Sequence, residues 1–312
     1  MNRPRFIDHG GEQVYEQPFL AEGVRYYGFL LEANVDALQK NVCDRFFNEP
    51  SGGQVKFRPV GGLALLAFCD LQALRSETPP YSNYGWFAER EAAIWVPLFD
   101  EVRNRMFWSF PYIWVDNAYA MTMGREMYGF PKELGEFNIP PDPKDAKDFS
   151  VSTLVLPHYS PDTKGSLEQI IEIHQTHPRP DIGHDFHSVE KIAGEVLGHM
   201  ARHSSIPADL RETIRTAEDL LRGEAPMVFL KQFRDVAQGA EACYQSIVEV
   251  VLAMTKFKGA GLFGDYEINV SDFDSHPIRK DLGLKDGPIH PLLSFWAEFD
   301  MVVPAGTEIW KA

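Results

Sequence analysis

The spacing of apolar positions predicts several β-strands in the first part of the chain. Residues 24–31, 63–69, 86–99 and 106–115 are apolar segments rich in aromatic and β-branched side chains, as is typical of strands. Asn34 precedes a segment without proline, and its side chain can cap a short helix that runs to about Asp44. Strands therefore dominate this part of the chain, with one short helix between them.

The pattern changes between residues 158 and 225. Residues 188–202 and 208–222 carry apolar positions at helical spacing, with Leu210 and Ile214 on one face of the second segment. We therefore predict an inserted helical hairpin over about 158–225. Strand patterns precede this insertion at 149–156 and return after it at 227–235, 242–257 and 293–303.

A helix predicted over 117–128 ends just before a lysine. Asn117 can cap its start, and Gly129 and Pro131 can end it, because glycine accepts a left-handed backbone and proline cannot continue a helix. Lys132 follows directly, so its backbone position is restricted by a rigid X-Pro unit. By spacing alone, a surface lysine at a turn remains the simpler interpretation.

A buried lysine at this position would have a chemical use. Its amine is a nucleophile only when neutral, and deprotonation at pH 7 costs about 4.6 kcal/mol from an ordinary pKa near 10.4. Burial against the apolar neighbours Phe130, Leu134 and Phe137 would lower that cost, because desolvation disfavours the charged form. A neutral buried lysine can attack a ketone and form a Schiff base.

Composition and charge exclude some classes of protein. The 312 residues carry a formal charge of −15, from 45 acidic and 30 basic side chains, which argues against nonspecific nucleic-acid binding. Three well-separated cysteines suggest reduced thiols in a cytoplasmic protein. No apolar run approaches the roughly 18 residues of a membrane span, so we expect no membrane association.

Four segments of the chain resemble the acetoacetate decarboxylase-like superfamily. They are Gly124-Arg125-Glu126 followed by Phe130-Pro131-Lys132, Val35-Asp36-Ala37-Leu38, Gly85-Trp86-Phe87-Ala88-Glu89, and the stretch 227–304. The resemblance implies one domain over 1–312, of class α+β, with a mostly antiparallel β-barrel or curled sheet and peripheral helices. It also implies that Lys132 is the Schiff-base nucleophile and that Glu89 is an active-site carboxylate.

The chain departs from the decarboxylase pattern at three positions. Glu133 stands where that enzyme has a second lysine, Ala64 aligns with an expected carboxylate, and Arg25 lies one residue from the expected early arginine. A carboxylate in the pocket would raise the pKa of Lys132, so we expect Glu133 to point away. We also predict that desolvation, rather than a neighbouring cation, activates Lys132.

Several other residues are candidates for the same site. Glu89 and Glu91 are two apart in a predicted strand and would share a face, where one could transfer protons to and from a bound substrate. Arg25 and Arg125 could hold a substrate carboxylate by two hydrogen bonds, although Arg125 could equally pair with a nearby acid. Phe130 is expected to line the pocket.

A metal site is a further possibility in the insertion, but we do not expect one. His199 and His203 are four residues apart on a predicted helix, with Glu195 one turn earlier. No His-Glu-x-x-His motif is present, and polar histidines on an exposed helical insertion are the more common case.

The resemblance implies a lyase that decarboxylates a small oxo acid through a lysine imine. An aldolase-dehydratase that uses the same imine, and a ligand-binding protein in which Lys132 is charged and inert, remain open. We expect no metal or organic cofactor, because the protonated imine is itself the electron acceptor. The expected partners are a small oxo-acid substrate and further copies of the chain in a homo-oligomer.

Overall fold

The computed structural model describes residues 4–8, 14–215 and 217–312. The strands are β1 Phe19–Glu32, β2 Phe57–Pro59, β3 Leu63–Ser76, β4 Phe87–Asp100, β5 Arg105–Val115, β6 Lys132–Asn138, β7 Asp148–Val155, β8 Ser166–His177, β9 Glu224–Arg234, β10 Ala242–Leu262, β11 Asp265–Val270, β12 Leu293–Val303 and β13 Thr307–Lys311. The α-helices are α1 Val35–Leu38, α2 Ala118–Met123, α3 Val189–Arg202, α4 Ala208–Arg215, α5 Glu218–Leu221 and α6 Ile278–Leu282. Single turns of 3-10 helix occur at Tyr81–Asn83 and Pro143–Asp145, and π-helical segments at Gln39–Asn48 and Gly124–Tyr128.

The strands are joined in one hydrogen-bonded sheet. Its order is β11-β8-β7-β6-β5-β9-β10-β12-β1-β3-β4-β2, and β13 pairs with β10. Strand β5 also pairs with β4, so the path from β5 through β9, β10, β12, β1, β3 and β4 returns to β5. The long central strands therefore form a closed circuit, and β6, β7, β8 and β11 extend from it.

Among the described residues the sheet is mixed: most strand pairs are antiparallel, as expected, and strand β5 also makes parallel pairs. Strand β5 runs parallel to β6, with Ile113 opposite Lys132, and parallel to β9 at Trp108 and Met227. Strand β6 follows β5 through α2 and the π-helical segment, and a parallel pair needs such a crossover. Strand β9 comes later in the chain, after β6, β7, β8 and the helices α3–α5. The predicted α+β class with peripheral helices is confirmed.

The helical insertion predicted over about 158–225 is partly wrong. Residues 166–177 form β8, which pairs with β7 on one side and β11 on the other. Helices occupy only the later part, as α3, α4 and α5, so the predicted helix over 208–222 is two helices. That the segment is an insertion within a single domain over 1–312 stays a prediction.

Both predicted helix caps are present. The Asn34 side chain accepts a hydrogen bond from the Ala37 amide at the start of α1, and Asn117 accepts one from Ala120 at the start of α2. Each cap satisfies an amide that lacks a partner within the helix. Among the described residues, no helix is both long and apolar enough to cross a membrane.

Buried apolar side chains form two clusters. One contains Tyr27, Phe149 and Tyr266, and the other contains Val24, Phe130 and the inner faces of α3 and α4. Alternation along β1 explains the division, since neighbouring residues of a strand point to opposite faces. The second cluster surrounds the candidate site.

Candidate active site

Local structure places Lys132 at the first residue of β6. The π-helical segment ends at Gly129, whose φ of 82° is left-handed, and Pro131 then directs the chain into the strand. A left-handed residue at this position is accessible to glycine without steric cost. The predicted end of the helix is therefore confirmed, although its last turn is π-helical.

The residues Gly124 and Arg125 hold Lys132 in place. A Cβ atom added to Gly124 would lie 2.6 Å from Cδ and 3.0 Å from Cε of Lys132, so the lysine side chain passes directly over the glycine. Arg125 donates from Nη1 to the Lys132 carbonyl oxygen over 3.1 Å. The Gly-Arg pair of the motif thus has a physical use, because it positions the lysine side chain and its backbone.

The Lys132 amine lies between two carboxylates of β4. Its Nζ donates to Oε1 of Glu89 over 2.7 Å and lies 3.4 Å from Oε2 of Glu91. Lys132 is 7% exposed and Glu89 is 2% exposed. Because Glu89 and Glu91 share one face of β4, as their spacing predicted, both reach the same amine.

These contacts determine the charge of the lysine. Burial lowers the pKa of Lys132, but the charges of Glu89 and Glu91 and their hydrogen bonds outweigh it and raise that pKa above its ordinary value. Burial raises the pKa of Glu91 to about 7, against the opposing effect of the Lys132 ammonium. The prediction that desolvation activates Lys132 is therefore wrong for the protein without substrate.

A cavity of about 100 Å³ surrounds the amine. The residues that line it are mostly aromatic or aliphatic and come from both ends of the chain: Phe19, Val24, Tyr26, Cys69, Leu71, Leu74, Glu89, Glu91, Trp95, Phe110, Ala120, Met123, Gly124, Tyr128, Phe130, Lys132, Leu252, Phe299, Met301 and Val303. We call this space the Lys132 cavity. It can hold a compact ligand and keeps the amine in apolar surroundings.

Of the three apolar neighbours expected to bury Lys132, the structure brings only one to it. The Phe130 ring centre lies 5.8 Å from Nζ, and Phe130 lines the cavity. Leu134 is half exposed, and Phe137 packs against the other apolar cluster. The remaining burial of Lys132 therefore comes from residues of distant strands.

The two candidate arginines lie outside the Lys132 cavity. Arg25 points away from the face of Tyr26 and pairs with Asp70 at 3.1 Å and Glu298 at 3.4 Å. Arg125 is exposed, and its Nη1 donates to the backbone carbonyl of Lys132 rather than pointing into the cavity lining. Neither guanidinium is therefore placed to hold a substrate carboxylate beside Lys132.

Glu133 points away from the amine, as predicted. Its Oε2 lies 2.9 Å from Nε2 of the buried His276, and about half of its side chain is exposed. The Nδ1 atom of His276 in turn contacts the Ser275 hydroxyl at 2.8 Å. Glu133 therefore joins β6 to the segment before α6 and takes no part in the Lys132 cavity.

Sequence reasoning did not find Tyr26, Cys69 and Trp95. Tyr26 on β1 is directly opposite Cys69 on β3, and Cys69 is opposite Glu91 on β4. Tyr26, Cys69 and Glu91 therefore form one row across the sheet. Burial raises the pKa values of the Cys69 thiol and the Tyr26 hydroxyl, with Glu91 adding to both shifts. The row depends on the register in which β1, β3 and β4 pair, and a single sequence does not reveal that register.

The histidines of α3 make other contacts. His199 Nε2 lies 3.1 Å from Glu195, while His203 Nδ1 contacts the Ser205 hydroxyl at 2.7 Å. The described part of the chain contains no group of three or more side chains arranged to hold a metal ion. The structure therefore does not join His199 and His203 into one site.

A family model of known proteins matches part of the chain. A family model described as acetoacetate decarboxylase matches residues 67–154, a segment that includes Glu89, Glu91 and Lys132. No curated protein sequence matches the chain. The family match covers the two elements that form the charged group, β4 and the α2–β6 connection.

Solved structures share the fold over nearly the whole chain. Acetoacetate decarboxylase from Legionella pneumophila has 14% identity and a TM-score of 0.62, covering 100% of this chain and 93% of its own. An acetoacetate decarboxylase-like enzyme from Sphingomonas wittichii RW1 has 14% identity and a TM-score of 0.61, with 96% of each chain covered. The enduracididine biosynthesis enzyme MppR has 14% identity and a TM-score of 0.56, with 96% of this chain and 90% of its own covered.

The fold is therefore that of the acetoacetate decarboxylase-like enzymes. The family match over 67–154 and these structural neighbours confirm the resemblance to the acetoacetate decarboxylase-like superfamily expected from the sequence. At 14% identity, the neighbours show a shared fold and leave the reaction of this chain to be argued from its own residues.

Proposed function

We propose that this protein is a Schiff-base-forming lyase in which Lys132 attacks the carbonyl group of a small substrate. The observation that carries the proposal is the buried Lys132 amine, held 2.7 Å from Glu89 in a largely apolar cavity. Burial in such a cavity strongly disfavours the charged form of a lysine, and apolar sites of this kind are where lysine acts as a nucleophile. The similarity of the fold to acetoacetate decarboxylase-like enzymes also supports this proposed function.

Attack requires a neutral amine, and the carboxylates can provide it. Glu89 accepts the ammonium proton across the 2.7 Å contact, so the proton stays within the site. Glu91, whose pKa is about 7, donates a proton to the leaving hydroxyl as the carbinolamine loses water. The product of these steps is an iminium ion on Lys132, balanced by the negative charge of Glu91, while Glu89 keeps the proton taken from the amine.

The iminium then accepts an electron pair from the neighbouring carbon. In a 3-oxo acid, the bond to the carboxylate breaks, carbon dioxide leaves, and a carboxyl group of the site protonates the enamine. Hydrolysis then releases the ketone and restores Lys132. This decarboxylation requires no metal or organic cofactor, because the iminium accepts the electrons.

Aldol or dehydration chemistry is the second candidate. The observation that favours it is the second carboxylate, Glu91, at 3.4 Å from the same amine, because carbon–carbon bond formation needs a base at one carbon and an acid at another oxygen. MppR, which shares the fold, has been solved with the condensation product of pyruvate and imidazole 4-carboxaldehyde. Two carboxyl groups beside one iminium would suit a similar sequence here.

Borohydride trapping tests the imine. The protein is incubated with a panel of oxo acids, ketones and aldehydes, reduced, and digested, and the adduct is located by peptide mass. We expect one adduct on Lys132, lost in Lys132→Met and retained in Lys285→Met, whose exposed amine pairs with Glu32. An adduct elsewhere, or none across the panel, would leave a ligand-binding protein with a charged Lys132 as the better description.

A further inference from the structure

The Lys132 cavity follows the inner face of four neighbouring strands, β12, β1, β3 and β4. Their register arranges the inward-facing side chains in four successive rows, beginning beside the Lys132 amine: Ala297, Tyr26, Cys69 and Glu91; Phe299, Val24, Leu71 and Glu89; Met301, Ala21, Leu74 and Phe87; Val303 and Phe19. All but Ala297, Ala21 and Phe87 line the cavity. The cavity is therefore elongated along the strands and spans all four rows.

Polar and apolar groups are separated along these rows. The Lys132 amine contacts Glu89 and Glu91, which belong to the first two rows. Among the described residues, the third and fourth rows contribute only apolar side chains to the cavity, from Leu74, Met301, Phe19 and Val303. The carbonyl group of a bound substrate lies beside the amine, so the part of the substrate that reaches the later rows is surrounded by hydrocarbon.

The opposite direction along the strands is closed. One row before Tyr26, the strands β1, β3 and β4 carry small residues opposite one another, Gly28, Ala67 and Ala93. The Phe295 ring occupies the space over Gly28, because a Cβ atom added to this glycine would lie 2.5 Å from Cζ of Phe295. The same ring stacks on Tyr26 with centroids 5.9 Å apart, and it does not line the cavity. A chain attached to the carbonyl carbon therefore has room to extend towards the third and fourth rows.

The length available to such a chain follows from β12. Phe299, Met301 and Val303 line the cavity as alternate residues of this strand. From Phe299, in the row of Glu89, to Val303 the strand spans about 13 Å. A compound as small as acetone, bound beside Lys132, would leave this apolar part of the cavity unoccupied.

From these observations we infer that the substrate carries an aliphatic chain on its carbonyl carbon, and that this chain lies against the third and fourth rows. The inference rests on the imine function proposed above and names the substrate class of the same site. Each CH2 group that leaves water for an apolar wall strengthens binding by up to about fourfold. Carbonyl compounds of medium chain length should therefore bind better than compounds of the size of acetone.

A series of methyl ketones tests the substrate class. Butan-2-one, hexan-2-one and octan-2-one share the reacting group and differ only in chain length. They are compared by the concentration that half-saturates borohydride trapping on Lys132. We expect this concentration to fall by at least about fivefold at each step of two CH2 groups. Equal concentrations, or higher ones for the longer ketones, would overturn the inference and leave the proposed imine function intact.

Val303→Trp and Val302→Trp locate the chain. Val303 lines the cavity in the fourth row, whereas its neighbour Val302 pairs with Leu20 and Ala253 and does not line it. Both valines are partly exposed, so each position offers room for a larger side chain. We expect Val303→Trp to reduce the preference for octan-2-one over butan-2-one at least fivefold, and Val302→Trp to keep it. An unchanged preference in Val303→Trp, or an equal loss in both variants, would overturn the placement of the chain.

Direct binding separates this inference from the imine function. Calorimetry measures binding of the same three ketones to the native protein, where reversible binding needs no reduced adduct. Tighter binding of the longer ketones without trapping on Lys132 would overturn the imine function and support the substrate class. Binding that does not depend on chain length would overturn the substrate class, whether or not trapping occurs.

Discussion

The amine of Lys132 lies 2.7 Å from Oε1 of Glu89, and this contact opposes the desolvation that would otherwise make the lysine neutral. Burial lowers the pKa of Lys132 and the carboxylates raise it, with the carboxylates prevailing. Without substrate, Lys132 is therefore a charged ammonium group beside Glu89, the carboxylate that can accept its proton. The pH dependence of the amine should change when that acceptor is removed.

Glu89→Gln should lower the pKa of Lys132. The substitution removes the nearer negative charge while the amine stays buried, so the neutral form becomes accessible at lower pH. We expect a fall of at least one pH unit, about 1.4 kcal/mol. The measurement is the pH dependence of reductive methylation of Lys132, followed by peptide mass. An unchanged or higher pKa would mean that Glu89 is not the charge that holds the ammonium.

Glu133→Gln should have almost no effect on the same titration. Its carboxylate contacts His276 and lies outside the Lys132 cavity, although Glu133 is the next residue in sequence. We expect the pKa of Lys132 to change by less than about 0.3 unit, below 0.5 kcal/mol. A shift as large as that of Glu89→Gln would show that Glu133 enters the cavity when a substrate binds.

Glu91 should make the protein less stable as the pH rises towards neutrality. Its pKa is about 7 in the folded protein against an ordinary 4.5, so between these values the folded state binds more protons than the unfolded state. The free energy of unfolding therefore falls as the pH rises from about 4.5 to 7, by about 1.4 kcal/mol per unit at most. Urea unfolding across this range should show a shallower decline in Glu91→Gln. An identical slope in both proteins would contradict the raised pKa.

Gly124→Ala should displace the Lys132 side chain. The added methyl group would lie 2.6 Å from Cδ, while the backbone of Gly124, at φ −61°, accepts alanine without strain. We expect borohydride trapping to slow at least tenfold.

Gly194→Ala is the matched control for that substitution. This glycine lies within α3, and a Cβ atom there would meet nothing within 4 Å. Alanine should leave trapping unchanged and raise the free energy of unfolding by about 0.5–1 kcal/mol, because glycine is a poor helix former. Equal trapping in the two variants would mean that Lys132 can move aside at no cost.

Local chemistry made Lys132 and its surroundings partly predictable. The Asn117 cap, the left-handed Gly129 and the shared face of Glu89 and Glu91 all follow from rules that act over a few residues, and the structure contains each of them. The charge of Lys132 did not follow, because it depends on a contact between residues 43 apart. Patterns that extend over a few residues cannot show which distant carboxylate contacts the Lys132 amine.

Strand β8 shows the same limit in the fold. Two consecutive buried isoleucines, Ile170 and Ile171, interrupt its alternation where the pairing with β7 shifts register. A strict period of two is therefore absent, and the sequence pattern predicts that this segment belongs to the helical insertion. The partners of β8 are β7 and β11, and β11 lies about ninety residues further along the chain. Only the paired strands identify this segment as part of the sheet.

The pairing of β1 with β12 has a consequence for synthesis of the protein. Gly23 bonds to Asp300 across 277 residues, and the wall of the Lys132 cavity includes Val24 from one strand and Phe299 from the other. Strand β12 must therefore leave the ribosome before it can pair with β1 and complete the wall of the Lys132 cavity. Until then the side of the cavity that β12 supplies is missing, so the apolar surroundings of Lys132 are completed only near the end of elongation.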